Sequence, residues 1–161
     1  MSLTEFFHSI DAPIPSPGVT NAEITKAETR LGGRFPEALR AWFREADGFT
    51  GEAEVCFWRF MSLQRLHTIS EIFPAATEIS VSRDRHAVRR AVGSHYVVVC
   101  DALFYLPFYA VNICPDSSHY SEVICAAEES ATDADFVASS FESFSELLFQ
   151  NPNDAFLIAK A

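Results

Sequence analysis

The chain has 161 residues, of which 48% are hydrophobic and 21% charged, with fifteen Phe and a formal net charge of −10. A single globule of this length buries roughly 70% of its unfolded surface, which argues against a disordered chain and against any need for a metal or disulfide staple. The charge is lopsided: residues 94–161 hold ten acids against Lys160, so the molecule repels phosphate backbones and favours a basic protein partner or a merely solvated face.

Ser2 and Glu5 have capping-box spacing, and Leu3, Phe6, Phe7 and Ile10 fall on one face of a predicted opening helix. Pro13, Pro15 and Pro17 impose an extended linker, so residues 1–17 read as helix plus linker and residues 18–161 as one main domain. Thr20 and Glu23 cap a second helix with Ile24, Ala27 and Leu31 on its face, stopped by Gly32 and Gly33. Pro36 opens a third helix, with Leu39, Trp42, Phe43 and Ala46 as its apolar stripe and Gly48 as its end.

Residues 54–60 read as a strand, and Leu63, Leu66 and Ile69 then recur every third residue as a short helix. The basic run Arg83, Arg85, Arg89 and Arg90 fits an exposed helix face or a loop, with a phosphate patch as the alternative. Residues 95–101, 108–113 and 122–127 are three predicted strands with short, turn-prone connections that favour antiparallel pairing. Their apolar runs are too interrupted for a membrane helix. Ser139 and Glu142 then cap a closing helix carrying Phe141, Phe144, Leu147 and Leu148. Helices, then strands, then a helix, without βαβ alternation, predict an α+β fold with a mixed, largely antiparallel sheet packed by helices.

Residues 27–43 read A-E-T-R-L-G-G-R-F-P-E-A-L-R-A-W-F and close at Asp47-Gly48. This resembles the N-terminal signature of the SMI1/KNR4 (SUKH) superfamily, an E-x-x-L-G helix end, a [LF]-P turn and a helix with aromatic anchors. Val97–Asp101 with Tyr109–Ile113 is similar to that family's central hairpin, although Ala102–Pro107 replaces a glycine-rich turn, and residues 139–148 are similar to its closing S-F-x-x-F-x-x-L-L helix. The resemblance covers roughly residues 18–150 and implies an SMI1/KNR4-like α+β fold. It makes Glu28, Leu31, Gly32, Phe35, Pro36, Trp42, Gly48, Phe141 and Phe144 fold determinants. It also implies a bacterial immunity protein that binds a cognate polymorphic or contact-dependent toxin, often a nuclease, with a regulatory adaptor of cell-wall or signalling type as the alternative.

No catalytic constellation is evident. His8, His67, His86, His95 and His119 are scattered, Cys56, Cys100, Cys114 and Cys125 show no metal-ligand spacing, and no phosphate-cradling glycine loop occurs, so no metal and no cofactor are expected. Cys100 with His95 and Asp101 is the nearest approach to a nucleophilic trio, but strand alternation puts positions 95 and 101 on one face and Cys100 on the other. Cysteines within apolar runs and an N-terminus without a basic leader predict a reducing, cytoplasmic setting. The residues best suited to binding are Asp116, Glu122, Glu128, Glu129, Asp133 and Asp135, of which Glu128, Glu129, Asp133 and Asp135 crowd the polar stretch between the last predicted strand and the last helix, where a loop can present them to Lys or Arg of a basic toxin domain, with exposed aromatics as anchors.

Overall fold

The computed structural model describes residues 2–9, 15–48, 58–75, 78–83, 86–91, 95–102, 107–127 and 133–151. Helix α1 (Leu3–Ser9) is capped at both levels: Glu5 N–H donates to Ser2 Oγ, while the Glu45 carboxylate accepts from the N–H groups of Leu3 and Thr4 at 3.2 and 2.8 Å. Its buried Leu3, Phe6 and Phe7 lie in the main core, and Pro17 bridges to Ala46, so the N-terminal segment docks on the domain.

Helix α2 (Asn21–Leu31) has the Thr20–Glu23 capping box and ends at Gly32, whose φ of 73° is open to glycine at little cost. Helix α3 (Glu37–Glu45) begins after Pro36. It stops three residues short of Gly48, because the pairing of Ala46 with Pro17 draws the backbone into an extended path. Glu28 knots the two helices together. Its carboxylate accepts from Phe35 N–H at 2.9 Å and from the Arg40 guanidinium at 2.7 Å, and its own carbonyl accepts from Gly33 N–H. Arg34 N–H donates to the Ile113 carbonyl at 2.8 Å, which anchors this turn to the sheet. A Cβ at Gly33 would fall 2.6 Å from that same carbonyl, so the close approach itself requires glycine.

The strands are β1 (Trp58–Phe60), β2 (His67–Thr68), β3 (Glu78–Arg83), β4 (His86–Ala91), β5 (Tyr96–Ala102), β6 (Phe108–Asn112), β7 (Val123–Ala126) and β8 (Asp133–Ala138). They form one sheet in the order β1-β5-β6-β7-β8-β3-β4, with β2 pairing on β5 beside β1. Every pairing is antiparallel except β3 with β8, giving the mixed, mostly antiparallel sheet that the α+β reading expected. Helix α4 (Ile69–Ile72) precedes β3, and α5 (Phe141–Gln150) closes the described chain.

One sheet face is roofed by α1, α3 and α5 through rings. Phe60 meets Phe7 at 5.2 Å and Trp42 at 5.7 Å between centroids, Tyr109 meets Phe144 at 5.4 Å, and Trp42 meets Phe141 at 5.3 Å. Each such tilted or edge contact is worth about 0.5–1.5 kcal/mol beyond its buried area. The signature residues Leu31, Phe35, Phe141 and Phe144 are all in this core, with Trp42 half-buried at its rim.

Several local expectations shift. Of residues 54–60 only 58–60 lie among the described ones, as β1. Residues 63–72 hold a 3-10 turn, Leu63–Arg65, then β2 and α4, whose start is set by an overlooked Thr68–Glu71 capping box. Of the basic run, Arg83 lies on β3 and Arg89 and Arg90 on β4, not on a helix or loop, while Arg85 lies outside the described residues. The stretch before the last helix is not all loop, because Asp133–Ala138 pairs with both β7 and β3. Ser140, not Ser139, caps α5, accepting from Ser143 N–H at 3.2 Å.

Replacing Glu28 by Ala leaves Phe35 N–H and Arg40 without their acceptor in a mostly buried place, so Glu28→Ala is expected to lower unfolding free energy by about 3 kcal/mol in chemical denaturation. Arg40→Ala, which strands the carboxylate but spares the Phe35 bond, should cost less.

Candidate functional site

The carboxylates fall into two groups. Nearly all of the described acids in the first half serve the fold: Glu5, Glu23 and Glu71 close capping boxes, Glu28 pairs with Arg40, Glu37 with Arg44, Glu45 caps α1, and Asp47 accepts from Leu63 N–H at 2.6 Å. Beyond residue 94 two acids turn inward. Asp101 is wholly buried in a two-point ion pair with Arg59 of the neighbouring β1, Arg59 Nε donating to Asp101 Oδ1 at 3.0 Å. Glu122, expected on the binding surface, is also buried, accepting from Tyr96 Oη at 3.0 Å with His119 Nδ1 at 3.4 Å, so its carboxylate is not presented to solvent.

The remaining described acids past residue 94 are idle. Asp116, Asp133, Asp135, Glu142 and Glu146 are all exposed, and among the described residues none of them has an ion-pair or side-chain hydrogen-bond partner. Asp133 and Asp135 project from one face of β8, about 7 Å apart along the strand. They stand beside Ser80 and Ser82 of β3, the pairs Ser80–Asp133 and Ser82–Asp135 being in register, while Ile79, Val81 and Ala134 between them are buried. Here the sheet presents an unroofed polar face. Glu146 stands on α5 at the Phe136 side of β8, across the strand from Asp135, where it lines a groove of about 380 Å³ with Arg83, Phe136, Ser139 and Ser143; the Arg83 guanidinium sits 4.2 Å over the Phe136 ring. Glu128 and Glu129 lie outside the described residues, and Asp116 stands on the separate turn after β6, so the structure joins only Asp133 and Asp135 of the expected set into one patch.

The nucleophilic trio does not assemble. The β5–β6 register shifts between Val98 and Cys100, so strand alternation is broken and it is Cys100, not Asp101, that falls on the His95 side of the strand. Five residues of strand nonetheless separate Cys100 from His95 by about 16 Å. Burial pushes the Cys100 thiol well above its ordinary range, with the Asp101 charge adding to the effect, and burial pushes Cys125 up to about 12. Both are held as thiols, the unreactive form. A cleft of about 440 Å³ between α2 and the 3-10 turn has Glu23, Lys26, Arg30 and Asp47 in its lining, of which Glu23 closes the α2 capping box, Arg30 donates to the carbonyls of Leu63 and Leu66, and Asp47 accepts from Leu63 N–H. Among the described residues no group of three or more His, Cys, Asp or Glu is placed to hold a metal ion, and no helix is long and apolar enough to cross a membrane. None of the described aromatics is exposed, and the 103–106 stretch lies outside the described residues, so the expected anchors are reduced to half-buried rings such as Phe136 and Tyr120.

A mixed, mostly antiparallel sheet roofed by helices on one face, with the signature residues building its scaffold, is an α+β domain. The chain belongs to the SMI1/KNR4 family (SUKH-1), whose family model matches residues 18–147, a span that runs from Gly18 to Leu147 of the last helix. Proteins of this family are generally immunity-like and typically non-catalytic. A search of the curated proteins finds no match.

With the thiols buried, Cys100 and Cys125 should react with an aromatic disulfide reagent at pH 8 at least about 100-fold more slowly in the native chain than in guanidinium. Mass mapping of the labelled sites reads this directly.

Proposed function

We propose that this chain is a cytoplasmic immunity protein that sequesters a cognate polymorphic or contact-dependent toxin, a basic nuclease, through the acidic face centred on Asp133 and Asp135. The observation that carries the reading is the division of the acids: those of the first half cap helices and close ion pairs, whereas Asp133 and Asp135 are exposed and, among the described residues, make no ion pair or side-chain hydrogen bond. An unpaired carboxylate pair on a sheet face costs self-repulsion, and a cationic partner relieves it. A nuclease must hold a polyanion in a basic groove, so an acidic face that enters the groove competes for the same charges and speeds encounter. Family membership supports the immunity role; charge supplies the partner's chemistry.

Co-expression with the toxin encoded next to this gene is expected to restore growth. Neutralising the pair, as Asp133→Asn with Asp135→Asn, should weaken binding about tenfold, close to 1.4 kcal/mol, and flatten its salt dependence in titration calorimetry without lowering thermal stability. Unaltered affinity and salt slope would remove this face from the interface. Absence of a neighbouring toxin gene and of any rescue would favour the regulatory-adaptor reading instead.

A further inference from the structure

The cleft of about 440 Å³ between α2 and the 3-10 turn is within the size range of ligand sites. It lies at the β2 end of the sheet, whereas Asp133 and Asp135 stand on β8, with β6 and β7 between β5 and that strand. Glu23, Lys26, Ala27 and Arg30 follow the i, i+3, i+4, i+7 spacing of one helical face, so α2 sets its charges along the cleft in a fixed order, acid first and bases after. From Glu23 to Arg30 is about 10 Å of helix axis.

The facing wall repeats this polarity. Asp47 belongs to the acidic end: burial raises its carboxyl, and the Glu23 charge adds to the rise. Its bond from Leu63 N–H uses one site of a carboxylate that can accept several. At the other end Arg30 donates to the carbonyls of Leu66 and Leu63 at 3.0 and 3.1 Å, neutral acceptors that fix the guanidinium in place without cancelling its charge. Lys26 is exposed beside it. Buried Ala27 and Leu63 and partly buried Val19 give the cleft an apolar bed. A cation alone would meet the two bases, and an anion alone the two acids. A ligand carrying both charges satisfies both ends, and in an extended chain residues two apart point to one side about 7 Å from each other. We propose that this cleft receives an extended segment of a protein partner with a basic and an acidic residue two positions apart, the base meeting Asp47 and Glu23 and the acid meeting Lys26 and Arg30. The site shares no residue with the acidic face on β8, so it goes beyond the toxin-binding reading and does not rest on it.

The probes are three end-blocked pentapeptides, Gly-Arg-Ala-Glu-Gly and its like-charged counterparts with Arg-Ala-Arg and Glu-Ala-Glu at the centre, titrated into the isotope-labelled full chain and followed by amide chemical shifts. The mixed peptide should bind at least about fivefold tighter than either counterpart and move the amides of Lys26, Ala27, Leu63 and Gln64. Asp47→Asn, which keeps an oxygen for Leu63 N–H, should weaken it about fivefold. Lys26→Glu, at an exposed position, should invert the order and make the Arg-Ala-Arg peptide the tighter ligand by about fivefold. The Asp133→Asn/Asp135→Asn variant should bind the mixed peptide within about twofold of the parent, so failure here is distinguishable from failure of the toxin-binding reading. Absence of saturable shifts at those amides, equal binding of the three peptides, or an unchanged order in a folded Lys26→Glu variant would overturn the proposal. So would binding of free ε-aminocaproate as tight as that of the mixed peptide, because the cleft would then serve a small zwitterion instead of a protein segment.

Discussion

The Glu28 carboxylate is the constraint on which the rest of the architecture hangs. It faces the five-residue connection between α2 and α3, binding Phe35 N–H and the Arg40 guanidinium at once, so the helices cannot separate without stranding a charge in a mostly buried place. Holding that turn sends Arg34 N–H to the Ile113 carbonyl and presses Gly33 against Ile113, which fixes the helical layer to the end of β6. From there α3 carries Phe43 and Trp42 over the sheet, and Trp42 becomes the meeting point for rings from β1 and α5. A single carboxylate thus converts a local helix pair into a roof for the sheet.

Electrostatics divides the molecule along the same line. Where carboxylates meet helix N-termini or guanidinium groups, their charge is neutralised by the fold. Glu45 shows the balance: partial burial opposes its charge, yet the N–H groups of Thr4 and Leu3 prevail and hold its carboxyl below the usual range. Asp47 shows the reverse, with burial outweighing the Leu63 bond and raising its carboxyl. Asp133 and Asp135 are exposed and, among the described residues, have no donors.

Much of the helical layer was legible in the residues. The capping boxes at Ser2, Thr20 and the glycines at 32 and 48 act over three or four positions, and the segment Glu28 to Trp42 carried the family resemblance that the family match later established. The β5, β6 and β7 runs were legible too, being continuous and apolar because both their faces are buried. The hairpin of β3 and β4 was not, since Arg83, Arg85, Arg89 and Arg90 hide the alternation of Ile79 and Val81 beneath a charge pattern that reads equally as helix face or loop. Strand β8 escaped for a related reason, as D-A-D-F-V-A resembles a polar loop unless its small buried alanines are known to lie against β3 and β7.

The sequence alone thus determined α1, α2, α3 and α5, the central strands, the surplus of acid past residue 94 and the family resemblance, because each depends on residues within one turn of helix or one run of strand. Only the tertiary structure decided which acids are spent and which are idle. Glu122 and Asp101 look no different in sequence from Asp133 and Asp135, and their fates differ because Tyr96 and Arg59, 26 and 42 residues away, are brought to the first two. The slip in register at Val98–Cys100 is of the same kind: it follows from which strand lies beside which, a long-range pairing that no local pattern encodes.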